Sequence, residues 1–325
     1  MRSIKRLAIG LAALLPLAAG AASADTWPQR AVTFIVPFAA GGGTDAFARP
    51  LAQQLDNQIK QRVLIENRAG AGGTAGASAA ARSTPDGYTF FVGATHHAIA
   101  PAIYPNLSYD IERDFIPVAM ISRPPHVVVV NPKRVTAKTL AELVSQAKQN
   151  PDGLTYASAG LGTTHHLAGE LFKLLTGTKI RHVPYRGAGP AMQDLLAAQV
   201  DMAFDGLGSS ASQIGGGYIS GLAVAAPARV SAVPSVPTAA EAGVPGFEVA
   251  TWYGIWAPKG TPADIVERLR SEVGKALATN YIKETWERNG SDVPQISGAE
   301  YGAFVTSEIA KWGKVVRDAG VKIDQ

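Results

Sequence analysis

The amino-acid sequence predicts an α/β protein with two lobes, each built on a mostly parallel sheet flanked by helices. Short β-rich runs alternate with helical patterns almost throughout the chain, as they do where crossover helices join parallel strands. The alternation starts afresh after an apolar run at residues 126–132, which indicates a second lobe. With 325 residues, 46% of them hydrophobic and 17% charged, the chain is large enough for two ordinary domains.

The first series contains three strands and a strongly patterned helix. The predicted strands are residues 31–38, 62–66 and 88–93. Between the first two strands, Phe47, Leu51, Leu55 and Ile59 recur every four residues, the spacing of one buried helical face. The apolar run HVVVVNP, residues 126–132, is predicted to be a strand long enough to cross between domains.

The second series alternates strands and helices in the same way. The predicted strands are residues 154–158, 179–185, 200–205 and 221–226, and the predicted helices are residues 139–149, 164–175 and 190–199. A proline-rich connection at residues 233–246 then leads to a candidate return strand at residues 251–258. The tail is predicted to be helical, with a final helix near residues 300–319 that returns to the first lobe.

Residues 1–24 have the three parts of a secretory signal peptide. A basic start precedes an apolar stretch at residues 7–21 and a small-residue cleavage site, Ala-Ser-Ala. We expect cleavage after Ala24 and therefore a periplasmic or secreted protein. A membrane anchor is the alternative, but the apolar stretch is shorter than the roughly 20 residues that span a bilayer.

Charge and cysteine content exclude several classes of partner and site. Cleavage would remove three of the 30 Lys and Arg residues, which leaves 27 against 26 Asp and Glu. A chain so close to neutral has no basic field that would attract nucleic acid or an anionic membrane, and we expect no membrane insertion. The absence of cysteine rules out disulfides, thiolate metal sites and a cysteine nucleophile.

The stretch PFAAGGGTDAFAR, residues 37–49, carries three consecutive glycines between the first strand and its helix. Ligands bind at such loops in α/β proteins, because free N–H groups and the helix dipole converge there. Residues 39–45 include no Lys or Arg, so amides and hydroxyls would hold an anion, which suits a carboxylate. Thr44 or Asp45 is the expected N-cap. A strand-to-helix turn without a ligand is the alternative.

An exported NAD-type Rossmann oxidoreductase is the competing interpretation of this loop. The run from Gly41 to Ala46 fits the pattern G-x-G-x-x-G/A, and Glu66 ends the second strand, where an acid that binds the ribose would lie. An exported chain would meet little NAD, however, and another glycine loop follows Glu66 directly. We therefore expect no catalysis and no cofactor.

Histidine offers a second hypothesis about the site. Two adjacent pairs occur, His96 with His97 and His165 with His166. Neighbouring residues point to opposite faces of a strand, or about 100° apart on a helix, so neither pair chelates a metal readily. We predict no metal site, and a histidine of each pair could instead line a pocket or cap a helix.

Nine motifs carry a specific likeness to a known family and run in the family's order over essentially the whole mature chain. They are PFAAGGGTD, ENRAGAGG, PDGYT, DFIPVA, YASAGLGTTHHLAGELF, HVPYRGAGPAMQDLLAAQVDMAFD, VPTAAEAGVPGF, WYGIWAPKGTP and KWGKVVRDAGVK. On these motifs the chain resembles the Bug-type periplasmic solute-binding receptors of tripartite tricarboxylate transporters (TTT). Ala69, where the family usually has proline, is a mild departure at a turn.

The resemblance implies a two-lobed periplasmic-binding-protein-like (Venus flytrap) fold with a ligand cleft between the lobes. Lobe 1 would comprise residues 25–125 and 250–325, and lobe 2 residues 126–249. The ligand would be a small carboxylate, such as a dicarboxylate, a tricarboxylate or an aromatic acid. The partners would be the membrane components of the transporter, and the receptor would act as a monomer.

The resemblance also implies the ligand-binding residues, matched motif by motif. In lobe 1 they are Phe38, Ala39, Ala40, Gly41, Gly42, Gly43, Thr44, Asp45, Thr95 and His96. In lobe 2 they are Ser158, Ala159, Gly160, Gly162, Thr163 and Asp205. We expect strands near residues 127–131 and 250–256 to act as hinges, so that closure replaces the anion's water shell with fixed amides.

Lobe 2 supplies further candidates whose roles the residues leave open. Residues 158–166 (SAGLGTTHH) form a second glycine-bearing strand-to-helix loop, either the partner that a cleft needs or a plain turn. Asp205 could bind a ligand ammonium or hydroxyl, or merely cap a helix beginning near Ser209. Arg186 could pair with a second carboxylate or form a salt bridge.

Overall fold

The computed structural model describes residues 27–318 and residue 320. Over these residues, ten strands form two five-stranded sheets packed against helices, which confirms the predicted α/β class with two sheet-helix lobes. The expected signal peptide, residues 1–24, lies outside the described residues. Within the described part, no helix combines the length and the apolar character that crossing a lipid bilayer requires.

The strands in chain order are β1 (Val32–Val36), β2 (Val63–Asn67), β3 (Thr89–Ala94), β4 (Phe115–Ser122), β5 (His126–Val130), β6 (Thr155–Ser158), β7 (Arg181–Pro184), β8 (Met202–Gly206), β9 (Ser220–Val224) and β10 (Tyr253–Pro258). The helices are α1 (Gly43–Ile59), α2 (Thr74–Ala81), α3 (His96–Ile103), α4 (Leu140–Gln149), α5 (Thr164–Thr176), α6 (Ala188–Leu196), α7 (Leu207–Gly215), α8 (Ala263–Leu277), α9 (Asn280–Arg288) and α10 (Gly298–Asp318).

The first sheet has the strand order β2-β1-β3-β10-β4 and forms lobe 1 with the helices around it. Strand β10 is antiparallel to both of its neighbours, while the other strands of this sheet run in one direction. Phe34 packs on one face with Phe47 and Leu51 of α1, and Ile35 packs on the other. This alternation is why a strand with helices on both faces reads as continuously apolar.

The second sheet, which with its helices forms lobe 2, has the strand order β7-β6-β8-β5-β9. Here β5 is antiparallel to both neighbours, and the remaining strands share one direction. Val128 and Val130 belong to one core of the lobe, and Val127 and Val129 belong to the other. The two sheets are therefore mixed in the same way, each with a single reversed strand.

The prediction that residues 127–131 act as a hinge is wrong, because β5 lies wholly inside the second sheet. A strand buried on both faces makes more ladder bonds and packing contacts between two neighbouring strands than it could as a bridge between lobes. The chain crosses instead at residues 123–125 and returns at residues 249–252. These crossing segments lie against each other: Pro125 pairs with Ala250, and the N–H of Thr251 donates to the carbonyl of Pro124 at 3.1 Å.

Candidate functional site

The carboxyl ends of the parallel strands in both sheets face one junction between the lobes. In the described part of the chain, the helices that begin at this junction include α1, α3, α5, α6 and α7. Their first residues meet across it, since the N–H of Thr164 donates to Nδ1 of His96 at 3.0 Å. A helix N-terminus offers unpaired N–H donors and the positive end of its dipole, so the junction favours a negative group.

The glycine loop after β1 contacts lobe 2 directly through its backbone. The N–H of Ala39 donates to the carbonyl of Arg186 at 3.3 Å. A Cβ built on Gly42 would lie 3.1 Å from the nitrogen of Gly189, and one built on Gly189 would overlap the carbonyl oxygen of Ala40. The glycines thus let the two backbones meet, and the cleft is closed in this structure.

Asp45 holds the glycine loop in place through hydrogen bonds of its side chain. Its buried carboxylate accepts from the N–H of Gly41 at 3.1 Å, from Nε of Arg49 at 2.6 Å and from Nδ2 of Asn67 at 3.2 Å. The prediction that Thr44 or Asp45 caps α1 is wrong, because the helix begins at Gly43 with Gly42 as N-cap. The Asp45 side chain turns back to the loop and satisfies an amide there.

The second predicted loop, residues 158–163, is also held by its own side chains. Ser158 Oγ accepts from the N–H of Gly160 at 3.1 Å and bonds Nε2 of His182 at 2.6 Å. Thr163 is the N-cap of α5 and also donates to the carbonyl of Gly160 at 2.7 Å. A Cβ on Gly160 would lie 3.5 Å from Cα of Gly72 in lobe 1, so this loop too meets the opposite backbone.

Three histidines and Asp205 form a buried group at the base of the junction, which we call the junction cluster. The ring centroid of His165 lies 5.7 Å from that of His96 and 4.9 Å from that of His126. Nε2 of His165 bonds the Asp205 carboxylate at 3.0 Å. Phe38 covers the cluster, with its ring 5.0 Å from that of His96 in an edge-to-face arrangement.

Electrostatics in the junction cluster favour a neutral His96 and an ionised Asp205. Burial lowers the pKa of His96 well below its ordinary value, and the charges of His165, His97 and His126 lower it further. Burial opposes ionisation of Asp205, but its hydrogen bonds from His165, Ser210 and Ser209 outweigh burial and hold its pKa below the usual range.

Asp205 does not cap α7, because that helix begins at Leu207 with Gly206 as N-cap. The carboxylate instead accepts from the hydroxyls of Ser209 at 2.7 Å and Ser210 at 2.5 Å, besides its bond to His165. The sequence left two interpretations of Asp205 open, a contact to the ligand or a helix cap, and the structure rules out the helix cap.

Tyr253 contributes a hydroxyl between the lobes that sequence reasoning missed. A Cβ on Gly43 would overlap this hydroxyl, and one on Gly206 would lie 3.8 Å from it, so it stands between the first residues of α1 and the N-cap of α7. Burial and the nearby Asp205 charge raise the pKa of Tyr253, which keeps the hydroxyl protonated and able to donate. Its position at the start of the return strand was the available signal.

The structure brings both predicted loops to the junction, but the loop after β1 does not have residues 158–163 as its main partner, as the sequence had led us to expect. The predicted residues of lobe 1 face residues 186–189, which follow β7 and include the first two residues of α6, more closely than they face residues 158–163. The sequence of residues 186–189, RGAG, repeats glycine after a strand just as the predicted loops do. Arg186 contributes its carbonyl here, while its side chain is exposed.

Thr95 supports the crossing segment. Its hydroxyl accepts from the N–H of Trp252 at 2.8 Å, and its own N–H donates to the carbonyl of Trp252 at 3.0 Å.

Among the described residues, no group of three or more His, Asp or Glu side chains is placed to hold a metal ion.

A groove of about 1060 Å³ lies at a different face of the molecule and contains none of the predicted site residues. Both crossing segments line it, through Arg123 and Val249, together with Leu167 of α5 and Trp312 of α10. The volume of this groove is therefore no evidence about the predicted site.

A family model described as the tripartite tricarboxylate transporter family receptor, TctC, matches residues 47–321. Among solved structures, the periplasmic binding protein BugD is 35% identical, with a TM-score of 0.88 over 91% of this chain and 100% of that chain. An R. palustris protein solved with adipate is 38% identical, with a TM-score of 0.87 over 91% of this chain and 100% of its own.

MatC from Rhodopseudomonas palustris, solved with bound malate, is 36% identical, with a TM-score of 0.84 over 89% of this chain and 100% of that chain. The family and these neighbours are solute-binding receptors and not enzymes, so the oxidoreductase alternative is dropped. The family model spans far more than half of the sequence, and the chain belongs to the tripartite tricarboxylate transporter receptor family.

Proposed function

We propose that this receptor binds a small carboxylate between its lobes and presents it to the membrane components of a tripartite tricarboxylate transporter. The relatives solved with adipate and malate support this ligand class. The observation that carries the proposal is the meeting of helix N-termini from both lobes, α1 against α6 and α3 against α5, at a junction whose predicted loops contain no Lys or Arg.

Amide donors at helix N-termini suit a ligand that must also be released. The facing helices contribute the positive ends of their dipoles, whereas a buried lysine or arginine would hold the anion by a full opposite charge. Closure removes water from the carboxylate and replaces it with these fixed donors. The Tyr253 hydroxyl and the His165–Asp205 pair would meet the part of the ligand that lies deepest between the lobes.

We retain the sixteen predicted site residues as the proposed binding surface, with their roles divided by their contacts. The amides of Ala39, Gly41, Gly160 and Gly162 already donate within the protein, so the other backbone amides from Phe38 to Gly43 and from Ser158 to Gly162 would be the donors to the ligand. Asp45 and Thr163 would keep those loops in shape. We add Gly189 and Tyr253, which lie at the same junction.

The lobe boundaries also remain our proposal: residues 25–125 and 250–325 for lobe 1, and residues 126–249 for lobe 2. Strands β4 and β5 belong to different sheets, as do β9 and β10, which supports breaks within the crossing segments. Both crossings lie side by side, so a small change in either segment would rotate one lobe against the other.

We further propose a periplasmic monomer released by cleavage after Ala24. Intact-mass measurement of protein purified from the periplasmic fraction would give a chain starting at Asp25. Light scattering coupled to size exclusion would give the mass of a single chain. A mass that retains residues 1–24, or a dimer mass, would refute the respective part of this proposal.

Thermal-shift screening of the mature protein tests the ligand class. A ligand that binds only the folded state raises Tm through the stabilisation RT ln(1 + [L]/Kd). We expect some acids to raise Tm in a panel containing adipate, malate, citrate, benzoate and nicotinate. The corresponding amides and NAD should leave it unchanged. If no acid acts, or if the amides act equally, the proposal fails.

A further inference from the structure

The imidazole of His96 joins the two lobes by a direct hydrogen bond. Its Nδ1 accepts from the backbone N–H of Thr164 at 3.0 Å and lies 3.1 Å from the Thr164 hydroxyl. His96 is the first residue of α3 in lobe 1, and Thr164 is the first residue of α5 in lobe 2. The bond can therefore exist only while the lobes are together.

This bond continues into the crossing segment. The hydroxyl of Thr164 lies 2.6 Å from that of Thr251, which lies 2.7 Å from Nε2 of His126. All four side chains are almost fully buried, with at most 3% of each residue exposed. A polar chain in such surroundings is costly to leave unpaired, so each member depends on its neighbours.

The protonation state of His96 is fixed by this geometry. A backbone N–H can only donate, so Nδ1 must carry a lone pair and the ring must be neutral for the bond to form. With a proton on Nδ1, the ring and the Thr164 N–H would both be donors, and no hydrogen bond could form between them. The proton would also place a positive charge at the N-termini of α3 and α5, where the helix dipoles oppose it.

Among the described residues, neither of the two buried carboxylates in this region, Asp205 and Glu308, bonds His96 to offset that charge. The other histidines around it are His97 on α3, His126 on β5 and His165 on α5. Asp205 on β8 bonds His165, and Glu308 on α10 accepts from the indoles of Trp252 and Trp312.

We propose that His96 is the positioning residue that fixes lobe closure, and that its protonation releases the closed state. This rests on the proposed opening and closing of the receptor. When the lobes separate, His96 loses its cover and regains a pKa near the ordinary value of about 6.5. Closure then requires the loss of a proton, so the closed fraction falls as the pH drops below about 6.5. The lowered pKa of His96 in the closed structure supports this direction.

The test measures the distance between the lobes and needs no ligand, so it is independent of the ligand class. The chain has no cysteine of its own, so two introduced cysteines can be labelled selectively. Asn57 on α1 of lobe 1 and Lys148 on α4 of lobe 2 are both exposed, and neither belongs to a predicted binding loop. Energy transfer between a donor and an acceptor dye on the double variant Asn57→Cys/Lys148→Cys therefore reports how the lobes are placed.

Two references remove the effect of pH on the dyes. The pair Asn57→Cys/Lys259→Cys places both dyes on exposed positions of lobe 1, so its energy transfer follows the dyes alone. The second reference adds His96→Asn to the interlobe pair, because Asn keeps an acceptor near the position of Nδ1 and cannot be protonated. His182→Gln is the matched control, since the His182 imidazole bonds Ser158 within lobe 2.

We expect the energy transfer of the interlobe pair, relative to that of the lobe 1 pair, to change from pH 7.5 to pH 5.5, because the ratio of closed to open protein falls by up to tenfold per pH unit for one proton. With His96→Asn the change should be largely lost, and with His182→Gln it should persist. A relative transfer that does not change with pH in the parent pair overturns the proposal even if His96→Asn fails to fold. An equal change in the folded His96→Asn protein overturns His96 as the responsible residue.

Discussion

Gly189 and Ala40 lie so close across the junction that a Cβ on Gly189 would overlap the carbonyl oxygen of Ala40. Gly189 is the second residue of α6 in lobe 2, and Ala40 belongs to the glycine loop of lobe 1. The backbone of Gly189 has no positive φ, so its lack of a side chain matters for contact between the lobes and not for local conformation. Closure and helix stability can therefore be separated at this position.

The substitution Gly189→Ala should weaken ligand binding without destabilising the ligand-free protein. Alanine favours a helix over glycine by up to about 1 kcal/mol, so the Tm of the free protein should hold or rise. Its methyl group would block full closure, and Kd for the acid selected by thermal shift should increase at least tenfold in calorimetry. Gly274→Ala on α8, where no atom lies within 4 Å of the new Cβ, is the control. Unchanged affinity in Gly189→Ala would contradict the closed junction.

Removal of the Asp45 side chain should disturb the loop and the fold together. Asp45→Ala leaves the Gly41 amide and the Asn67 amide group without this acceptor, and we expect a loss of about 1–3 kcal/mol in the free energy of unfolding. Asp45→Asn keeps one acceptor oxygen and should lose less. Urea denaturation measures both, with Asp318→Asn in an exposed ion pair as the control. Wild-type stability of Asp45→Ala would show that the carboxylate does not hold the loop.

Stability should fall as the pH is lowered through the range where buried histidines gain protons. Burial lowers the pKa of His97 to about 4, and burial with the His165 charge lowers that of His126 to about 3. Both values lie below about 6.5, so between these limits the unfolded chain binds more protons than the folded one. The free energy of unfolding therefore has its full value, as far as these two histidines are concerned, above about pH 6.5. It falls progressively as the pH drops below that value.

Each of these two histidines can remove up to about 1.4 kcal/mol of unfolding free energy per pH unit. Urea denaturation from pH 7 to pH 4 should show the fall, and His97→Gln, which cannot titrate, should show a shallower one. A free energy of unfolding that is constant over this range would contradict the buried neutral state of both rings.

Glu308 should stabilise the crossing segment through two tryptophans. Its Oε2 accepts from Nε1 of Trp252 at 2.9 Å and from Nε1 of Trp312 at 3.0 Å, and all three side chains are largely buried. Glu308→Ala leaves both indoles without this acceptor and should cost about 1–3 kcal/mol of unfolding free energy. Glu308→Gln keeps an acceptor oxygen and should recover most of it. Equal stability of the Ala and Gln variants would mean that the indole bonds contribute nothing.

Local patterns in the sequence were enough to predict the elements with strong periodicity. The apolar residues that recur every four positions from Phe47 to Ile59 predict α1, and the valine run predicts β5 as a buried strand. Helices α2 and α3 were not predicted. The sequence of α2, TAGASAAA, has no large apolar residue to give a periodic face, and α3 contains Pro101 and two adjacent histidines.

The pairing of loops across the junction could not be read from the sequence. It depends on how the lobes are turned against each other, and the deciding contacts join residues far apart in the chain, such as Thr164 with Thr251 and Gly42 with Gly189. Local chemistry could place a glycine loop at the end of a strand. It could not show that Asp45 turns back on its own loop or that Tyr253 enters the junction from the return strand.

The most direct test of a carboxylate held between the facing helix N-termini is a calorimetric titration of the acid selected by thermal shift into the mature protein and its Gly42→Asp variant. The new carboxylate would sit against Ala188 and Gly189 at the start of α6, where it repels the ligand and fills the space the backbone needs. We predict no measurable binding to Gly42→Asp and wild-type affinity for Gly274→Asp on the exposed face of α8. Undiminished affinity of Gly42→Asp would contradict the account.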